Sequence, residues 1–62
     1  MFYYEIYLPI NILKEFYYCS PQEIPEGVRV LVSFNRKDMM GICGPRFESA
    51  PEKDIRYKQI IE

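Results

Sequence analysis

Val28, Val30, Val32 and Phe34 recur at every second position, with Arg29 and Ser33 on the opposite parity. β-Branched residues at period two fit an extended strand with one buried face, and no helix. Asn35 to Asp38 is polar and turn-prone, after which Met40-Gly41-Ile42-Cys43 is apolar again. The spacing predicts a β-hairpin over 28–34 and 39–44. Gly27 ahead of it predicts a tight turn, and Gly41 in the return strand predicts a bulge or bend. Two strands alone cannot bury an apolar face, so the rest of the chain must supply more of the sheet.

Three further segments are candidates. Phe2, Tyr4, Ile6 and Leu8 alternate with Tyr3, Glu5 and Tyr7, and Pro9 stops the run because it cannot donate to a ladder. Lys14-Glu15-Phe16-Tyr17-Tyr18-Cys19 places Phe16 and Tyr18 on one face and Tyr17 on the other. Ile55 to Glu62 regains strand character, with Tyr57, Gln59 and Ile61 opposite Arg56, Lys58 and Ile60. The expected fold class is therefore all-β: a small five-stranded meander or barrel, OB- or SH3-like in size, with strands near 2–8, 14–19, 28–34, 39–44 and 56–62. Its expected core is Ile6, Phe16, Val28, Val30, Val32, Phe34 and Ile42. Residues 20–27, with two prolines and a glycine, read as a loop whose Ile24 tucks inward; one helical turn at 21–24 is the alternative. Residues 44–54 have the breaker composition of an exposed loop.

Sixty-two residues make one small β domain. A chain of this size buries only about 60% of its unfolded surface. Four Phe and six Tyr compensate, each ring able to bury roughly 150–250 Å². Eight basic residues against nine acidic ones give a net charge of −1. That balance argues against a protein that grips nucleic acid through many phosphates, and any such contact must be small and local. There is no histidine, and Cys19 and Cys43 do not have metal-ligand spacing. Two reduced, buried thiols are expected, with a single disulfide as the alternative. The acid pairs Glu23/Glu26 and Glu52/Asp54 read as solvated surface, so no catalysis is expected of these residues alone. Met1 leads directly into a strand and no apolar run approaches membrane-spanning length, so the expectation is a cytoplasmic protein without a membrane partner. The chain ends at Glu62 while still strand-like, which suggests a fragment, or a very compact first domain of a longer protein.

The order of these pieces resembles the N-terminal DNA-binding domain of the PriA family, the primosomal helicases that restart stalled replication forks. Leu8-Pro9 closes a first strand; Phe16-Tyr17-Tyr18, Gly27-Val28-Arg29-Val30-Leu31-Val32-Ser33-Phe34, Gly41-Ile42 and Tyr57-Lys58 follow in the family's order. The family pattern is Leu-Pro, Phe-Asp-Tyr, Gly-x-Arg-Val-x-Val-Pro-Phe-Gly, Gly-x-Val and a later lysine. The resemblance implies a small pocket for the 3′ end of the nascent strand, with Phe16 and Tyr17 in the Phe-Asp position, Asn35 in that of the glycine, and Lys58 as the lysine. Three positions depart: Tyr17 stands for the acid, Asn35 for the glycine and Ser33 for the proline. Arg36, at the hairpin tip with Lys37, is either a solvated turn or a charge offered to phosphate. The resemblance also implies other primosome proteins as partners. ATP, Mg²⁺ and structural Zn²⁺ would serve the rest of a full-length ATP-dependent 3′–5′ helicase, with no cofactor in this segment. Two other readings stay open: an SH3-like adaptor that binds a peptide through surface tyrosines, and a structural domain without a ligand.

Overall fold

The computed structural model describes residues 1–52 and 56–62. Four strands make one sheet: β1 (Phe2–Tyr7), β2 (Tyr17–Ser20), β3 (Arg29–Phe34) and β4 (Lys37–Phe47). The spatial order is β2-β1-β4-β3, and every neighbouring pair is antiparallel. The sheet curls into a half-barrel whose two edges are β2 and β3. The alternation of the sequence does what it predicts in β1 and β3: Tyr4, Ile6, Val30 and Val32 point inward and are buried.

The β3–β4 hairpin turns on Asn35 and Arg36, which have φ of 51° and 66° between the paired residues Phe34 and Lys37. Positive φ at both central residues is the turn whose twist matches a right-handed strand pair. Asparagine tolerates that region, whereas an ordinary side chain strains in it. Arg36→Gly should therefore stabilise the domain by about 1 kcal/mol, raising Tm by about 4–8 °C in a thermal melt.

The bend in β4 lies three residues beyond Gly41. Tyr4 pairs with Arg46 and Ile6 with Cys43, so Gly44 and Pro45 together oppose Glu5 in a β-bulge. A Cβ on Gly44 would stand 2.8 Å from the Glu5 carbonyl oxygen and 2.8 Å from the Tyr7 ring. Pro45 costs no ladder bond at a bulge. The Gly-Pro pair that read as the start of a loop instead lies inside an eleven-residue strand.

Residues 20–27 contain no helix. Tyr4 holds them from below: its hydroxyl accepts from the Ile24 N–H (2.8 Å) and donates to the Gln22 carbonyl (3.3 Å). Ile24 packs against the core as expected. Arg46 on β4 pins the same loop by pairing with Glu23, while its guanidinium lies 5.3 Å from the centre of the Phe2 ring.

Four of the seven expected core residues, Phe16, Val28, Phe34 and Ile42, lie outside the buried core. Val28 precedes β3 and is 39% exposed; Ile42, on the outer face of β4, is 40% exposed. Ile42 shares its row with Tyr7 and Arg29, its cross-strand partners, whereas Gly41 and Cys43 take the inward parity. Phe16 and Phe34 are half-buried and meet edge to face, with ring centres 5.0 Å apart at 86°. The rest of the core is Tyr18, Cys43 and Ile60. Both thiols are buried and free.

The last segment is the main departure from a five-stranded sheet. Its described residues form no strand, only a single parallel bridge between Gln59 and Cys19. The tail instead runs along the seam between the sheet's two edges. Cys19 on β2 donates its N–H to the Lys58 carbonyl (3.0 Å) and accepts from the Ile60 N–H (2.8 Å). Leu31 on β3 accepts from the Ile61 N–H (2.8 Å) and donates to the Glu62 carbonyl (2.8 Å). The predicted inside–outside pattern does not hold there, because Ile60 is buried and Ile61 is 50% exposed. Lys53 and Asp54, in the expected loop, and Ile55, where the tail was expected to regain strand character, lie outside the described residues.

Candidate functional site

A cleft of about 340 Å³ opens at one end of the seam. The approach to β2 supplies Lys14, Glu15 and Phe16 to it, and β2 itself supplies Tyr17 and Tyr18. Across the seam stand Ser33 and Phe34 of β3 and Asn35 of the hairpin turn. Glu52, Arg56, Tyr57 and Lys58 form the remaining wall.

The seam at the base of the cleft is sealed by side chains. Tyr18 donates its hydroxyl to the Ser33 carbonyl at 2.8 Å, joining the two edge strands, and burial pushes its pKa up, so the hydroxyl stays protonated as a donor. The Phe16–Phe34 contact lies beside it. Tyr57 is held by both backbone groups of Glu52, whose N–H donates to its hydroxyl (2.7 Å) and whose carbonyl accepts from it (2.8 Å). Its ring also meets Tyr3 edge to face at 5.1 Å. With its hydroxyl and ring both committed to the protein, Tyr57 braces the wall.

Tyr17 differs. Its ring rests edge to face on Phe47 at 5.7 Å and 79°, and its hydroxyl has no hydrogen-bond partner among the described residues. Partial desolvation, then the carboxylates of Glu15, Glu5 and Glu52 and finally Tyr57, push its pKa up. The phenol is therefore neutral at physiological pH and offers an uncharged ring.

Four of the five residues singled out in the sequence, Phe16, Tyr17, Asn35 and Lys58, line this one cleft although 42 positions separate the first from the last. Arg36 is not among the lining residues; it stands exposed at the hairpin tip. Sequence reasoning missed the Glu15, Ser33, Glu52 and Arg56 contributions. Their nearness comes from closure of the seam, which leaves no local pattern. The charge of the lining is nearly balanced, with Lys14, Arg56 and Lys58 against Glu15 and Glu52. Among the described residues no group of three Cys, Asp or Glu could hold a metal ion.

Aromatic rings presented on a small β-sheet beside a few lysines and arginines are an arrangement used by the class of compact nucleic-acid-binding β domains. Within that class the chain belongs to the PriA 3′ DNA-binding domain family: the family model described as the 3′ DNA-binding domain (3′BD) matches residues 5–62. DNA is accordingly the partner of this domain. Among curated proteins and solved structures nothing matches the chain.

Proposed function

We propose that the domain reads the 3′-terminal nucleotide of a nascent strand at a stalled fork, holding it in the cleft between Tyr17, the Asn35 turn and Lys58. The observation that carries this reading is the convergence of Phe16, Tyr17, Asn35 and Lys58 on one cleft in a member of a 3′ DNA-binding family. The size supports it, since about 340 Å³ takes a single base and sugar rather than a length of strand. So does the charge, because a pocket for one nucleotide needs a stacking ring and a cation, with no basic groove. In this reading the domain performs no chemistry. The ATP-driven motor, with its Mg²⁺ and structural Zn²⁺, belongs to other parts of a full-length cytoplasmic helicase, as do most contacts with other primosome proteins.

Fluorescence titration with short single strands tests this. Strands with a free 3′-hydroxyl should bind at least fivefold more tightly than the same strands blocked at that end. The salt dependence should be shallow: at roughly 0.7 per neutralised phosphate, three cations give a slope of about −2 at most. Equal binding of blocked and free ends would rule out an end-reading cleft, and a much steeper slope would point to a groove along the strand.

A further inference from the structure

The tail that carries Lys58 into the cleft is lightly attached. Arg56, Lys58, Gln59, Ile61 and Glu62 are exposed; Tyr57 is half-buried, and Ile60 alone is buried, at 9% exposure. Its backbone from Tyr57 onward meets the sheet at two residues, Cys19 on one edge and Leu31 on the other. Cys19 does most of the registering. Besides its two backbone bonds to Lys58 and Ile60, its thiol lies 3.7 Å from the Tyr57 carbonyl and 3.6 Å from that of Lys58. The residue that plugs the core and the residue that lines the cleft are thus two positions apart and held by the same partner.

We propose that Ile60 is a positioning residue of the DNA cleft, and that docking of the tail and binding of the DNA end are one coupled equilibrium linked through Lys58. The inference rests on the reading of the cleft as a DNA-end site. When Ile60 is seated, Cys19 holds Lys58 in the cleft wall; when it leaves, the Cys19 bonds that place Lys58 go with it. A segment held by so few buried contacts opens at a lower free energy than the ladder beside it. Any ligand that touches Lys58 loses that contact in the open form, so it must favour the docked form by the same factor by which docking favours it.

Amide hydrogen exchange on the 62-residue chain separates this from a merely structural tail. The Ile60 and Ile61 amides, bonded to Cys19 and Leu31, report tail opening. The Val30 and Val32 amides, in the ladder opposite Gly41 and Met39, report global unfolding. The probe is a short single strand with a free 3′-hydroxyl at about 100 times its Kd, where exchange through a form that does not bind slows up to about 100-fold. In the unmutated domain both sets should slow, the tail amides at least tenfold. The comparison is Lys58→Ala at matched saturation, which leaves intact the Lys58 carbonyl that Cys19 uses. There Val30 and Val32 should slow as before, while Ile60 and Ile61 should slow less than about twofold. Equal slowing of the tail amides in both proteins overturns the proposal, as does slowing of Val30 and Val32 without the tail in the unmutated domain. If no amide slows, the strand does not bind, and the reading of the cleft fails together with the inference built on it.

Discussion

Val30→Asp should leave the domain unfolded at 25 °C. Val30 is 2% exposed and sits among Tyr4, Ile6, Tyr18, Val32 and Cys43, with no basic side chain in that cluster. A carboxylate placed there must either stay charged without a partner or take up a proton, and either route costs several kcal/mol. A domain of 62 residues commands in total only roughly 3–9 kcal/mol, at about 0.05–0.15 per residue. The penalty is comparable with the whole stability, so far-UV circular dichroism should show an unfolded chain. Val28→Asp is the paired control. It has the same sequence parity, but Val28 lies outside β3 and is 39% exposed, so its stability should fall by no more than about 1 kcal/mol. A folded Val30→Asp, or a Val28→Asp as damaged as Val30→Asp, would mean that the inward face of β3 is not where the structure puts it.

That pair of valines also marks how far the sequence could be read. Period-two alternation reports the two faces of a strand, and it was legible wherever the chain is ladder-paired on a curled sheet with one wet face, as in β1 and β3. It carries no information about where pairing stops, so Val28 looked like Val30. On β4 the bulge at Gly44 and Pro45 shifts the register against Glu5, and Ile42 falls on the outer face although its neighbourhood is apolar. The tail failed for a different reason. Its pattern is that of a strand, yet its place is set by what the curled sheet leaves open: two edges that do not pair with each other, bridged through Cys19 and Leu31. Nothing local in Tyr57 to Glu62 encodes that gap.

The candidate cleft was more legible than the tail that completes it. Phe16, Tyr17, Asn35 and Lys58 were found through a motif order that matches a family, and such an order encodes tertiary neighbours without describing them. Glu15, Glu52 and Arg56 belong to no such motif and emerge only when the seam closes. Arg36 was selected on charge alone. Its positive φ, shared with Asn35, makes it a turn residue whose position follows from the hairpin.

Tyr17→Ala should weaken binding to a single strand with a free 3′ end by at least fivefold, while Tyr17→Phe should be nearly silent. The two variants separate the ring from its hydroxyl. Stacking one base on an aromatic face is worth roughly five- to 150-fold in affinity, whereas a neutral hydrogen bond brings roughly two- to tenfold. The geometry favours the ring. Tyr17 is half-buried, lines the cleft and leans on Phe47, so its orientation is set before a ligand arrives. Its hydroxyl is uncommitted among the described residues, and partial desolvation together with the Glu15, Glu5 and Glu52 carboxylates keeps it protonated, so it adds no charge against a nucleotide. Loss of the Phe47 contact will lower stability somewhat, so affinities are to be compared at a temperature where each variant is folded by circular dichroism. Tyr17→Asp supplies the acid that the family pattern carries at this position. If stacking is the role of Tyr17, this variant should bind no better than Tyr17→Ala, because it removes the ring and adds a fourth carboxylate to Glu5, Glu15 and Glu52. Should Tyr17→Asp bind as well as the unmutated domain, an acid at this position serves the terminal sugar and stacking contributes little to affinity. Should Tyr17→Ala itself bind 3′-ended DNA undiminished, Tyr17 only packs on Phe47, and the terminal nucleotide is held elsewhere.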